Sequence, residues 1–176
     1  MGLSLVNLEE ARRYMLEEIE LDIASGELYI SPRLNEQGIM PYIGLLKEAA
    51  QKNSDDWLAG EIRFGGLLNQ QERKRKPKGG YTWADVPHTA HETMAEGEFN
   101  RFYIRGLCKR AIEAGIQELI IYRAKEVMHA RSSSQALIGT RINAKALLDD
   151  LRTHIGETPA LKMPGGPNSG LSVRLP

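Results

Sequence analysis

The stretch from Thr89 to Ala114 constrains this chain more than any other. Its apolar residues fall at Met94, Ala95, Phe99, Phe102, Tyr103, Leu107, Ala111 and Ile112. Steps of three and four repeat along the run, which is the period of one helical face. Gly115 then stands where a helix ends in a left-handed residue, and Ile116 supplies the apolar residue just beyond. Leu119 to Tyr122 is short, β-branched and aromatic, so it predicts a buried strand. A long core helix followed by a strand is therefore the unit on which the rest must pack.

The remaining segments read mostly as helices. Leu8 to Ala24 carries a stripe of Leu8, Ala11, Met15, Ile19 and Ile23. Asn7 and Glu10 are spaced as a capping box, and Gly26 is the expected stop. Glu9, Glu10, Arg13, Glu17, Glu20 and Asp22 make its polar face. A second helix is predicted over Pro41 to Lys52, and a third begins after Ser54, with Asp55 and Asp56 at its positive end. Asn143 caps a further helix running to about Arg152. The expected fold is mainly α with a small β element, an α+β helical core with an extended C-terminal arm. Its parts are an N-terminal helical segment (1–69), a basic loop (70–80), the core helix, strand and following helix (81–155), and a Pro/Gly-rich arm (156–176).

Composition excludes several function classes. Lys+Arg and Asp+Glu number 23 each, so no global field draws the chain to nucleic acid or membrane. No apolar run approaches the roughly 20 residues of a membrane span, and the first residues lack the apolar core of a signal peptide. A single cysteine, Cys108, precludes an internal disulfide and fits a reducing compartment. Cys108 lies on the core helix and reads as a small buried hydrophobe.

Local charge is less even. Arg73, Lys74, Arg75, Lys76 and Lys78 crowd one short loop, where they repel one another. Such a loop is either solvated, held by acids of a partner, or set against phosphates. Tyr81 and Trp83 follow it, which is limited aromatic interleaving for nucleic acid. A second polar group follows the strand: Arg123, Lys125, Arg131, Ser132 to Ser134 and Arg141. It offers Arg and hydroxyl donors to a phosphate but lacks the glycine-rich backbone cradle of a P-loop.

Motifs with catalytic geometry are weak. His88 and His91 stand three apart, with Glu92 beside the second, whereas a zinc-protease helix spaces its histidines four apart. His129 and His154 are isolated, so no third ligand is evident and no metal or cofactor is expected. Glu96 and Glu98 flank Gly97, but positions two apart on a helix point to different faces. The strand reads IIYRAKE, without the acid that a nuclease-type cluster with Lys125 needs. Gly97 and Gly106 each cost roughly 1 kcal/mol against alanine inside a helix, and together predict close packing of another element.

The tail ETPALKMPGGPNSGLSVRLP has no hydrophobic stripe of its own and should be disordered when alone. Leu171, Val173 and Leu175 alternate, a pattern suited to a strand added to a partner's sheet edge. Two stretches, AEGEFNRFYIRGLCKRAIEAGI through YRAKEV and the ending PGGPNSGLSVRLP, resemble an uncharacterised family of proteins encoded in phages and prophages. They contain no catalytic signature. The resemblance implies a non-enzymatic structural subunit of a virion or similar large assembly, in a head-associated, connector or tail-attached role. Its partners would be copies of itself and other virion proteins, in the virion or in host cytoplasm during assembly, with no membrane. The alternatives are a nucleic-acid-binding protein using the basic loop, and a metal-dependent hydrolase or nuclease.

Overall fold

The structure, a computed structural model, describes residues 2–128, 130–165 and 169–176. The elements follow in the order α1 (Leu8–Ser25), α2 (Ile39–Lys52), α3 (Asp55–Phe64), β1 (Gln71–Arg75), β2 (Tyr81–Asp85), α4 (Ala90–Glu113), β3 (Glu118–Arg123), the single turn α5 (Ser132–Gln135), β4 (Arg141–Asn143), α6 (Ala144–Thr153) and β5 (Leu171–Arg174). The fold is α+β and mainly helical, as the residue pattern implies.

Helix α4 is the axis of the molecule. Helices α1, α3 and α6 and strand β5 surround it, and α2 bridges α1 and α3. Every residue from Phe99 to Cys108 is buried, so the helix has no solvated side along this length. Met15 and Ile19 from α1, Leu58 and Ile62 from α3, and Leu147 and Leu151 from α6 fill the space around Phe99, Phe102 and Leu107. Gly106 lets α1 approach closely. A Cβ there would lie 2.8 Å from the Met15 nitrogen and 3.0 Å from the Ala11 oxygen, closer than any real side chain sits. The helix closes as expected: Gly115 takes φ 72°, and the amides of Ile116 and Gly115 return to Ala111 O and Ile112 O.

Burial of α4 from Phe99 to Cys108 has a cost that the apolar stripe did not predict. Arg105 is fully buried, where a lone charge would be untenable. It is matched by α1: Arg105 donates to both Asp22 oxygens at 2.6 and 2.7 Å and to Glu18 at 2.9 Å. Arg152 from α6 closes the network on Glu18 at 2.5 and 2.9 Å. Burial pushes the Glu18 carboxyl up, but the two guanidinium groups outweigh it and hold the group below the usual carboxylate range. Asp22, expected on the solvated face of α1, is therefore interior, while Ile23 of the expected stripe is exposed. The reason is tertiary: Arg105 from α4 meets Glu18 and Asp22 on the inner side of α1.

Two caps are as predicted. The Ser54 side chain accepts from Trp57 N, and Asn143 accepts from Ala146 N. Asn7 is not a side-chain cap for α1. Its amide oxygen instead accepts from Leu175 N at 3.0 Å, tying the start of the chain to its C-terminal strand.

That strand corrects the expectation of an extended arm. β5 pairs antiparallel with β3, Ile121 opposite Val173, in a three-stranded sheet of order β4-β3-β5. Leu171 and Val173 are fully buried and Leu175 is packed against the core. Asn100 donates to Leu171 O at 2.8 Å and the Tyr103 hydroxyl to Val173 O at 3.0 Å. These α4 side chains occupy carbonyls on the β5 edge of the sheet, so that edge is closed to a further strand. The alternating residues do form a strand, but its partner is this chain's own β3. Residues 166–168 of the arm, and His129, lie outside the described residues.

The expected basic loop is a second correction. Residues 71–85 form a two-stranded antiparallel hairpin, β1 with β2, separate from the main sheet. Pro77 lies within a tight turn closed by Gly79 N to Lys76 O, and Gly79 and Gly80 both take positive φ.

Candidate functional site

The hairpin brings together residues that the sequence kept apart. Its register sets Arg73 opposite Trp83 and Arg75 opposite Tyr81. Alternation along each strand places Arg73, Arg75, Tyr81 and Trp83 on one face. Only Glu72 and Ala84, on the other face, are partly covered. Trp83 is 68% exposed and Tyr81 56%, unusual for aromatic residues outside an interface. The Arg73 guanidinium lies over the Tyr81 ring at 4.1 Å from its centroid, so this pair is held as a flat cationic platform.

A bare two-stranded hairpin is marginal in water, so its base must be fastened. Arg33 does this, gripping Glu72 through two hydrogen bonds of 2.6 and 3.1 Å. The hydrogen bond from Arg33 holds the Glu72 carboxyl below its ordinary value. A bridge between Leu34 and Leu68 fixes the connecting strands just below. Among the described residues no carboxylate forms an ion pair with Arg73, Lys74, Arg75, Lys76 or Lys78. The one acid inside the cationic run's strand, Glu72, is consumed by Arg33 on the opposite face.

The second polar group is dispersed rather than assembled. Arg123 donates to Ser169 O at 2.8 Å and to Gln135 Oε1 at 3.0 Å, stitching β3 to the last strand and to α5. Lys125 is ion-paired with Glu96. Arg141 faces Glu118 at 3.5 Å, and Arg131 is an exposed residue at the start of α5. The Ser132–Ser134 run forms a helical turn in which Ser134 is buried. Arg123, Lys125 and Arg141 are thus each engaged by a different neighbour within the fold. His91 is mostly buried, 3.7 Å from Glu92, and no group of three or more metal-ligating side chains occurs among the described residues. Burial pushes the Cys108 thiol up, away from the thiolate that a nucleophile requires.

A cleft of about 410 Å³ opens beside the first half of α4. Its walls also come from Tyr29 to Arg33, from Lys125 and Val127 after β3, and from Gly156 to Pro159 after α6. Glu96 and Glu98, expected on different sides of the helix, both border it, because the cleft wraps around the exposed backbone at Gly97. Nothing lies within 4 Å of the position a Gly97 Cβ would take. The packing expectation therefore holds for Gly106 and fails for Gly97.

Glu98 makes no hydrogen bond or ion pair among the described residues. It keeps an opening to solvent, yet burial pushes its carboxyl up to about 7 against the opposing pull of Arg101 and Arg105. Arg101 is only 7% exposed. Its guanidinium is anchored on the carbonyls that end α6, Leu151 O at 2.5 Å and His154 O. Its Nε–H is buried and has no partner among the described residues. Both groups sit three positions apart on one helix face. Nothing in the sequence marked them beyond a glycine in the middle of a helix, a signal that also fits packing.

No protein-family model, curated protein or solved structure matched the chain when it was compared with each.

Proposed function

We propose that the protein is a non-enzymatic, nucleic-acid-contacting subunit of a virion-type assembly, with the β1–β2 hairpin as its binding finger. One observation carries the reading: Arg73, Arg75, Tyr81 and Trp83 share an exposed face whose cations have no acidic partners among the described residues. Single strands suit such a surface. Arginines and the flanking lysines neutralise phosphates, and bases stack on the aromatic rings without regard to sequence. The closed β5 edge and the rigid helical body support a role as scaffold for this finger. The assembly context rests on the family resemblance of the α4 and C-terminal stretches.

The test is fluorescence anisotropy with labelled single-stranded oligonucleotides over a range of salt. Each neutralised phosphate adds about −0.7 to the slope of log affinity against log salt. Replacing Arg73 and Arg75 by alanine should flatten that slope by about 1.4, while Trp83→Ala should weaken binding by about 1–3 kcal/mol and leave the slope unchanged. Absence of binding at 20 mM salt, where exposed cations act most strongly (about a 20 Å screening length), would remove the reading.

A further inference from the structure

The two aromatic residues of the hairpin are not equivalent. Hydrogen bonds from Lys76 N to Gly80 O and from Val86 N to Gln70 O mark bonded pairs at the two ends of the ladder. Alternation then makes Arg73–Trp83 and Arg75–Tyr81 non-bonded pairs, in which facing side chains stand closest, with Cα atoms about 4.5 Å apart. Arg73 nevertheless does not lie over its direct partner. Its guanidinium crosses to Tyr81, 4.1 Å from the ring centroid. The right-handed twist of a two-stranded ribbon brings such diagonal neighbours within reach of a long side chain. Trp83 is left with no cation or ring over it among the described residues, and 68% of it faces solvent.

The two arginines differ in the same way. Neither side chain makes a hydrogen bond or ion pair among the described residues, so the N–H donors of both are open. A guanidinium is planar and carries its donors in that plane. Lying over a ring, it keeps its N–H edge for a phosphate. The ring also restricts in advance the rotamers that a free arginine must give up on binding. Arg73 has this support from Tyr81, and Arg75 has none. A base that took the covered face of Tyr81 would displace Arg73, losing a fixed cation to gain a stack. Trp83 offers its ring without that loss.

We propose, building on the nucleic-acid reading of the hairpin, that Tyr81 is a positioning residue that holds the Arg73 guanidinium for a phosphate, while Trp83 is the ring on which a base stacks. The finger then takes one base and the phosphates beside it, rather than two bases in succession.

The experiment has a ligand-free arm and a binding arm, both on the full chain. Without ligand, the Arg73 Hε resonance should be shifted upfield by the ring current of Tyr81. Tyr81→Phe should keep that shift and Tyr81→Leu should lose it. In fluorescence anisotropy with a labelled oligothymidine at low salt, Tyr81→Leu should weaken binding about two- to fivefold, the worth of an exposed cation–π contact, and Tyr81→Phe should not. Once Arg73 is replaced by alanine, Tyr81→Leu should cost nothing further. Trp83→Ala should cost at least about fivefold, both alone and combined with Tyr81→Leu, which a collapsed hairpin would not show. A Tyr81→Leu loss of the same size in the Arg73→Ala background would make Tyr81 a stacking ring and overturn the assignment. So would an unshifted Arg73 resonance in the wild-type protein, or a Trp83→Ala loss that disappears once Tyr81 is replaced by leucine. Each of these results leaves nucleic-acid binding by the hairpin standing, whereas absence of binding by the wild-type protein removes both.

Discussion

Replacing Arg105 by methionine tests the physical account of the core most directly. Methionine matches the unbranched stem of arginine and removes only the charged head. In the wild-type protein that head makes a bidentate contact with Asp22 and a further contact with Glu18, with the three side chains 0, 5 and 0% exposed. Without it, Glu18 still faces Arg152, but Asp22 is left as a buried carboxylate with no cation of its own. Breaking a buried pair from one side costs about 3–5 kcal/mol, because the remaining charge cannot be hydrated. For a chain of this size that corresponds to a fall of roughly 6–20 °C in unfolding midpoint. Thermal unfolding followed by far-UV circular dichroism measures it. The double variant Arg105→Met with Asp22→Leu removes a cation and an anion together and leaves Glu18 balanced by Arg152. It should be more stable than Arg105→Met alone, with a coupling of about 1–3 kcal/mol. The exposed pair Arg13–Glu17 is the control, and Arg13→Met should leave the midpoint unmoved. An Arg105→Met midpoint close to wild type would show that the buried charges are not what fastens α1 to α4.

Other consequences are equally direct. Gly106→Ala pushes a methyl into the α1 backbone and should destabilise by about 1–3 kcal/mol in urea unfolding, whereas Gly97→Ala should gain up to roughly 1 kcal/mol. Leu171→Ala should cost about 2–5 kcal/mol, and deletion of Gly165 to Pro176 should leave the chain unable to unfold cooperatively, because Asn100 and Tyr103 lose the carbonyls they serve. Glu98 gives a pH signature. Its folded value, about 7, lies above the ordinary carboxylate value, so its contribution to stability is complete in acid. That contribution is lost as pH rises through about 7, and Glu98→Gln should flatten this part of the pH–stability profile. Glu18 has the opposite sign. Its lowered value makes its contribution complete above the ordinary carboxylate range and lost as pH falls below it, an acid limb that Glu98→Gln should not change.

Much of the fold is legible one segment at a time. The α4 stripe, the Gly115 stop, the Ser54 and Asn143 caps and the β3 run all depend on residues within a few positions of one another, and local geometry decides them. The hairpin was obscured because its strand residues are charged, and period-two patterning is silent when neither face is apolar. Helix-period reasoning also counts every charged residue as solvated. It therefore could not see that Glu18, Asp22, Arg101 and Arg105 face inward, since each is interior only because a partner from another element meets it.

The long helix with which the sequence begins to make sense was determined by sequence alone: its length, its ends and its apolar stripe. Only the tertiary structure decided that this helix is enclosed on every side along its middle, and that the last strand joins the chain's own sheet. The same applies to the two glycines. Both break the helical rule identically in sequence, yet Gly106 receives α1 and Gly97 opens onto a cleft. A periodicity records what a residue prefers to avoid, namely water. It carries no record of which distant group arrives to replace that water, and burial of charge, strand partnership and the shape of a cleft are all decided by that arrival.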